Sequence, residues 1–490
     1  RLVLGTRVAP ADVSGYDVAV DTTAPGRVFY CNSVGLWRSD DAAQTWSGIL
    51  VANQTQSKCA ISLAGGVVYY SNADGAFQGT TWGGTAAKPV AGKVFRSTDA
   101  GASFNELTAA RGFCGTQCSY DQILGVDPVN QNRLFIGGVD PSSSTDYGQT
   151  WTDFAPFANC GQAQCPPIHS DFHAIAFHPA NTDIVHLGND GGLWVSPNGG
   201  QTWANKNDSL PGGLLVGVSV SADGKVVGGF QDNGNNVLVG SGPSFKMVYG
   251  APSTGGGDGG YAKIDQNNSN RYYYTYVVAG TVDSDAMSRT EDDAATGTSI
   301  IPQEAINLAE TSEFYPPLYM SHSDFNRILT GFNNIYRSAN AGVSWTRLGN
   351  LKSEASNLKV TRVHESLSNP NYVYAAVSDS ASGSDHRVYV AKNAGLGNGA
   401  AWTRSTKGLP TTQVPTALAV HPTDPKTVYV TFSQYGTSAA PLRHIYKSTD
   451  GANTFASVSD SLPDVPFHDI IIDTAAPKNI FAASDVGVFN

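Results

Sequence analysis

The sequence predicts an all-β fold, a β-propeller of four-stranded blades, on three observations. A turn signature recurs at a near-constant interval. Short alternating stretches bounded by Gly, Asn and Asp fill each interval. Glycine (53) with proline (25) reaches about 16 % of the 490 residues, above the usual share of roughly 12 %.

The signature reads Ser-x-Asp/Asn-x-Gly-x-Thr/Ser-Trp/Phe and spans 39–46, 97–104, 144–151, 196–203, 338–345 and 448–455. Ala43 and Ala452 take the glycine place in the first and last copies, and a degraded copy at 391–395 is separated by an insertion from Trp402. Closing aromatics lie 47 to 58 residues apart, except for the 142 between Trp203 and Trp345, about three periods. Two repeats therefore lack the signature. Its Asp or Asn suits backbone N–H donors, its Gly permits positive φ, and its aromatic anchors a hairpin between a blade's third and fourth strands.

First strands are expected near 16–21, 59–63, 120–127, 173–177, 217–222, 260–266, 317–321, 359–365, 414–421 and 467–473. That makes ten blades. The tenth ends after its third strand at 485–490, and 1–6 is placed to supply the fourth, so that both termini close one ring without an open sheet edge. A single domain over 1–490 is the expectation; the alternative is two smaller propellers, split near 210–255.

Acidic residues (41) outnumber basic ones (30), for a net charge of −11, and only 14 % of the chain is charged. Nucleic acid and anionic lipid reward clustered Lys and Arg, so neither is an expected partner. There is no run of 18 apolar residues to span a membrane as a helix. The six cysteines, Cys31, Cys59, Cys114, Cys118, Cys160 and Cys165, fit an oxidising compartment. Disulfides 114–118, 160–165 and 31–59 are expected, with a zinc site built from the two close pairs as the rival. The chain opens at Arg1, which suggests processing and export. The expectation is a secreted monomer.

In a propeller the loops before first strands and between second and third strands share one face, and ligands gather there. On that face His169-Ser-Asp171-Phe-His173 leads into blade 4, and alternation would put His169, Asp171 and His173 on one side. Asn189-Asp190-Gly-Gly is the inner turn of the same blade, and Gln231-Asp232-Asn233-Gly the equivalent turn of blade 5. Asp258, flanked by glycines on both sides, leads into blade 6, and Asp485 occupies the same kind of turn in blade 10. Asp171, Asp190, Asp232 and Asp258 are the candidate catalytic carboxylates. His169, His173, Asn189, Gln231 and Asn233 are the candidate substrate contacts. His-x-Asp-x-His with a further Asp also suits a metal, calcium being the possible ion, although no cofactor is required. Asp-Gly and Asn-Gly are ordinary turn dipeptides as well. Tyr272–Tyr276, Phe314, Tyr315 and Tyr319 offer rings for sugar stacking or for packing, and Glu304, Glu310 and Glu313 are spare acids in a short helical stretch.

The recurring signature is similar to the Asp-box, or BNR repeat, of sialidases, of family 74 glycoside hydrolases and of sortilin/Vps10 ectodomains. The resemblance covers most of the chain and implies the propeller. The turn at Asp190 resembles the Asp-x-Gly-Gly turn of family 74, whose Asp is catalytic, but here Asp190 runs directly into Gly191-Gly192. Asp485-Val-Gly fits the same pattern except that Val488 replaces the second Gly. The sialidase Arg-Ile-Pro segment is absent. The resemblance implies a secreted glycoside hydrolase acting on a polysaccharide or oligosaccharide. The alternative is a Vps10-like propeller that binds a glycan or peptide without chemistry.

Overall fold

The computed structural model describes residues 14–53, 59–73, 92–110, 112–113, 117–154, 168–207, 213–238, 245–247, 257–354, 358–379, 387–405, 407–410 and 412–490. Among the described residues, nine four-stranded antiparallel sheets and one three-stranded sheet follow one another, and each four-stranded sheet pairs its strands in sequence order. Among the described residues the only α-helix is the short Gln303–Asn307. First strands are Gly15–Val20, Cys59–Ala64, Ile123–Val126, Phe172–Phe177, Leu215–Val220, Gly259–Ile264, Leu318–Ser321, Leu358–Glu365, Pro415–Val420 and Phe467–Ile472. All ten fall where alternation placed them. The tenth sheet stops at its third strand, Gly487–Phe489, and the segment 1–6 proposed as its fourth lies outside the described residues.

The chain forms two compact units, Arg1–Gly212 with blades 1 to 4 and Gly213–Asn490 with blades 5 to 10. Within each unit one blade packs on the next. In the first unit Ala64, Val67, Tyr69 and Val94 of blade 2 meet Leu124, Val126, Leu134 and Ile136 of blade 3 in one buried cluster. In the second, Leu329 and Ile335 of blade 7 meet Val360, Val363, Val373 and Tyr389 of blade 8. Burying each such aliphatic or aromatic side chain contributes about 1.5–3 kcal/mol relative to exposure.

The recurring turn is a hydrogen-bonded clasp. In blade 3, Asp146 Oδ1 accepts the Ser144 hydroxyl (2.8 Å) and the Thr150 amide (2.9 Å), while Oδ2 accepts the Thr150 hydroxyl (2.6 Å). Ser144 Oγ in turn accepts the Gly148 amide at 2.9 Å. Two consecutive residues take positive φ, which is why Ala42 (58°) and Ala43 (64°) carry local strain in blade 1. Two clasp tryptophans donate to the preceding blade, Trp345 Nε1 to Ile300 O (2.7 Å) and Trp402 Nε1 to Leu348 O (2.6 Å), while Trp151 and Trp203 donate within their own clasps to Gly148 O and Gly200 O (3.1 Å each). Trp203 of blade 4 also lies 6.4 Å, edge to face, from Phe135 of blade 3.

One of the two missing copies is present in disguise. In blade 6, Asp292 accepts the Thr290 hydroxyl (2.9 Å), the Thr296 amide (2.8 Å) and the Thr296 hydroxyl (2.7 Å). Thr290 replaces the serine, Ala294 the glycine, and Gly297 the aromatic. The stretch 239–244, where a blade 5 copy would fall, is outside the described residues.

Cys31 and Cys59 form a disulfide with Cα atoms 6.3 Å apart, joining blade 1 to blade 2. Cys118 is also disulfide-bonded, which removes it from a zinc site. Cys114, Cys160 and Cys165 lie outside the described residues. No helix of the described residues is long and apolar enough to cross a membrane.

The clasps predict an acid-sensitive component of stability. Hydroxyl and amide donors hold Asp41, Asp146 and Asp450 at about 2, below the ordinary carboxylate. A depressed folded pKa stabilises fully above the unfolded value and is lost as pH falls through the folded one. Asp146→Ala is therefore expected to lower Tm at pH 7 by roughly 2 °C, and thermal denaturation should show that gap closing between about pH 4 and pH 2.

Candidate functional site

In seven of the blades the first strand carries a β-bulge near its start, seen as register shifts such as Phe172/Ala174 in blade 4 and Phe467/Asp469 in blade 10. A bulge re-aims a side chain and breaks alternation. In blade 4 the bulged residue is His173, and its Nε2 lies 2.6 Å from Asp190 Oδ1. The turn holding Asp190 follows Val185–Asn189 and precedes Gly192–Ser196. Both of its glycines are required. A Cβ at Gly191 would fall 2.3 Å from the His169 Cβ, and one at Gly192, where φ is +98°, would fall 2.2 Å from Asn207 Oδ1. Asn207 locks the turn by accepting the Leu193 amide (2.8 Å) and donating to Gly191 O (2.6 Å).

The expected lining-up of His169, Asp171 and His173 is corrected by the backbone. Asp171 has φ +61°, so the segment is not extended there, and the strand begins only at Phe172. Left-handed geometry at Asp171 separates its side chain from the alternation that the sequence suggested. Gln117 Nε2 (3.1 Å) and Ser170 Oγ (3.2 Å) donate to Asp171, and the Asp190 amide donates to Asp171 O at 3.2 Å. A carboxylate oxygen of Asp171 lies within 4.8 Å of one of Asp190. Asn189 donates to His169 O (2.5 Å) and accepts the Gly191 amide (3.1 Å), which ties the approach to blade 4 onto the turn.

Behind this pair sits Asp121, a residue that the sequence reading left as part of a strand. It has no exposed surface, and neither of its oxygens receives an N–H or O–H donor from the protein. Its neighbour is the Asp171 carboxyl. Burial first, then the charges of Asp171 and Asp190, push Asp121 up to about 8. Burial also raises Asp171, against its hydrogen bond with Asp121. A proton shared between two carboxyls explains both, since adjacent buried carboxylates cannot both ionise cheaply. Tyr120, the preceding residue, sets its ring edge-on to His173 at 4.8 Å.

In the second unit Asp232 (φ +59°) turns between blade 5 strands, and its amide donates to Asp258 Oδ1 at 3.2 Å. The Tyr315 hydroxyl donates to the same oxygen at 3.1 Å. Gln231 donates its amide to Leu214 O (2.9 Å), and Asn233 Nδ2 donates to Gln231 O (3.2 Å). The glycines after Asp258 serve close packing: a Cβ at Gly259 would meet Gly234 O at 2.1 Å, and one at Gly260 would meet Thr275 Oγ1 at 2.4 Å. Asp258 and Asp232 thus form one knitted turn.

Blade 10 repeats the blade 4 dyad. His468 is the bulged residue and its Nε2 lies 2.5 Å from Asp485 Oδ1. The Tyr435 hydroxyl bonds the other oxygen, and together they hold Asp485 below the usual carboxylate range. The signal was in the sequence: Phe172-His173 and Phe467-His468 each have an aspartate 17 residues after the histidine.

The remaining candidates are structural. Glu310 is fully buried and accepts from the Asn334 amide (2.9 Å), Asn334 Nδ2 (2.6 Å) and the Tyr336 hydroxyl (2.8 Å). Glu304 pairs with Arg347 at 3.3 Å, and Glu313 bonds Ser378. Tyr272–Tyr276 is buried throughout, so its rings pack between blades.

No family model matches the chain. No curated protein matches it either. Among solved structures it is similar to a GH74 enzyme of Niastella koreensis (16 % identity over 96 % of this chain and 73 % of that one, TM-score 0.37). A GH74 xyloglucanase of Xanthomonas campestris gives 15 % identity over 97 % and 73 %, TM-score 0.32. YCF48 bound to a D1 peptide gives 11 % over 75 % and 92 %, TM-score 0.30. At these values the propeller reading rests on the blades themselves.

Asp121 adds a second pH dependence to the first unit, on the side above pH 4. An acid raised from about 4 to about 8 costs stability progressively as pH climbs between those values, because only the folded chain keeps its proton. Asp121→Asn is expected to match the wild type in Tm near pH 4 and to exceed it by several degrees at pH 8 in parallel melting curves.

Proposed function

We propose that the protein is a secreted glycoside hydrolase acting on a polysaccharide or oligosaccharide as a monomer, with its chemistry at Asp171 and Asp190. The carrying observation is the approach of these two carboxyls within 4.8 Å, one oriented by His173 and the other raised by burial. The Asp-box clasps and the family 74-like turn at Asp190 support the same reading. A proton-holding carboxyl beside a second, oriented carboxylate is what glycosidic cleavage needs.

In this reading Asp190 attacks the anomeric carbon as the glycosidic bond breaks, and Asp171 gives its proton to the leaving oxygen. Water then resolves the glycosyl ester, with Asp171 taking the proton back. The short separation favours retention, because inversion needs roughly 6.5–9.5 Å to admit a water. Asp121, having no surface, acts only through Asp171 as a positioning residue. Asp258 is left out of the chemistry because its Oδ1 is taken by the Asp232 amide and the Tyr315 hydroxyl. No cofactor is required. A calcium ion held by the Asp171 and Asp190 oxygens is the competing use of the same pair.

A second reading, saccharide or peptide binding without chemistry, is favoured by that knitted turn of Asp232 and Asp258. Reducing-end release across a panel of β-glucans, xyloglucan and pectins decides between them. The hydrolase reading expects a product, formed with retained anomeric configuration by NMR. It also expects Asp190→Asn to lower kcat/KM by roughly 10³-fold. Saturable binding with no product from any polysaccharide would leave only the second reading.

A further inference from the structure

The second unit carries two cationic side chains, Lys263 and Arg362, that nothing above uses. Lys263 lies on the first strand of blade 6, between Ala262 and Ile264, whose side chains are buried in the core. Alternation therefore turns Lys263 to the opposite side of its strand. Arg362 and His364 flank core-facing Val363 on the first strand of blade 8 and are turned away from that core in the same way. The two strands meet in space. The Arg362 guanidinium sits 5.1 Å over the Tyr261 ring, reaching from blade 8 past the first strand of blade 7 to blade 6.

Arg362 spends one N–H on Thr361 O (2.7 Å), and His364 engages Glu365 O through Nδ1 (3.0 Å) with its ring 4.6 Å from that of Tyr319. Among the described residues the Lys263 ammonium has no hydrogen-bond or ion-pair partner, although an ammonium carries three donors. The other charged groups facing it are His322, from the end of the blade 7 strand, and Asp469 of blade 10; Glu313 faces Tyr261. Asp469 is exposed and its Oδ1 is taken by the Ile470 amide (2.8 Å). Burial depresses Lys263 against the pull of Asp469, the repulsion of Arg362 being the smaller effect, and burial holds His364 at about 3, so its ring is uncharged at neutral pH. Two neighbouring cations answered by the single exposed carboxylate of Asp469, in a chain of net charge −11, keep donors that a further anion can take.

We propose that Lys263 and Arg362, beside Tyr261 and His364, form an anion site that takes the carboxylate of a uronic acid unit in a glycan. The planar guanidinium, fixed on Tyr261, presents paired N–H donors to a carboxylate, and Lys263 adds a point charge. The assignment rests on the saccharide reading above but not on Asp190. A free inorganic anion offers the same charge, and the test separates the two.

Isothermal titration calorimetry of the full chain with oligogalacturonate, a neutral xyloglucan oligosaccharide and sodium sulfate provides that test. Oligogalacturonate is expected to bind more tightly than the neutral sugar and to weaken as salt is raised. Lys263→Gln should cut its affinity by about 10-fold or more, Lys263→Arg should preserve it, and Asp469→Asn should improve it by removing the opposing charge. Binding retained in Asp190→Asn would keep this site even if the hydrolase reading fails. Equal affinity for the neutral oligosaccharide, undiminished affinity in Lys263→Gln, or binding of sulfate alone would overturn the proposal. Should Lys263→Gln fail to fold, an unchanged affinity in Asp469→Asn would overturn it in the same way.

Discussion

A four-stranded sheet of two- to eight-residue strands cannot bury both faces by itself, and every feature of this chain follows from that deficit. Each blade must lean on the next, so the sequence repeats whatever makes the leaning possible. Alternating apolar strands supply the flat faces, as in the joint core of blades 7 and 8. The clasps fix where the third strand turns, and Trp345 and Trp402 hand a hydrogen bond back to the previous blade. A repeat can lose the aromatic, as blade 6 has, provided the Thr290–Asp292–Thr296 hydrogen bonds remain.

The same constraint sets up the chemistry. Packing blades side by side brings the starts of neighbouring first strands together, so Asp121 of blade 3 ends up behind Asp171 of blade 4. Nothing in blade packing requires a carboxyl there. Burying one without donors is expensive, and the pair answers by retaining a proton. Bulges finish the arrangement by turning His173 onto Asp190 and His468 onto Asp485. The two dyads differ in what surrounds them: buried carboxyls beside Asp190, a tyrosine hydroxyl on Asp485.

Much of this was legible before any coordinates. The period, the ten first strands and the clasp roles are local properties, written in residues that touch within one turn or one hairpin. The blade 6 clasp escaped because three of its positions are substituted while its hydrogen-bonding groups are not. Asp121 escaped because Tyr-Asp-Gln before an apolar run looks like any strand start. His169, Asp171 and His173 were misread as collinear because alternation assumes an extended backbone, and Asp171 is left-handed.

The sequence by itself determined the succession of ten short antiparallel sheets and their clasps, since turn chemistry and alternation act over a few residues and need no partner to be recognised. Tertiary structure alone decided which acids meet. Whether a carboxylate accepts from a neighbouring turn, as Asp258 does, or is one of a proton-sharing pair, as Asp121 and Asp171 are, depends on burial and on neighbours tens of residues away. Proximity between blades is a product of packing, and no spacing along the chain encodes it.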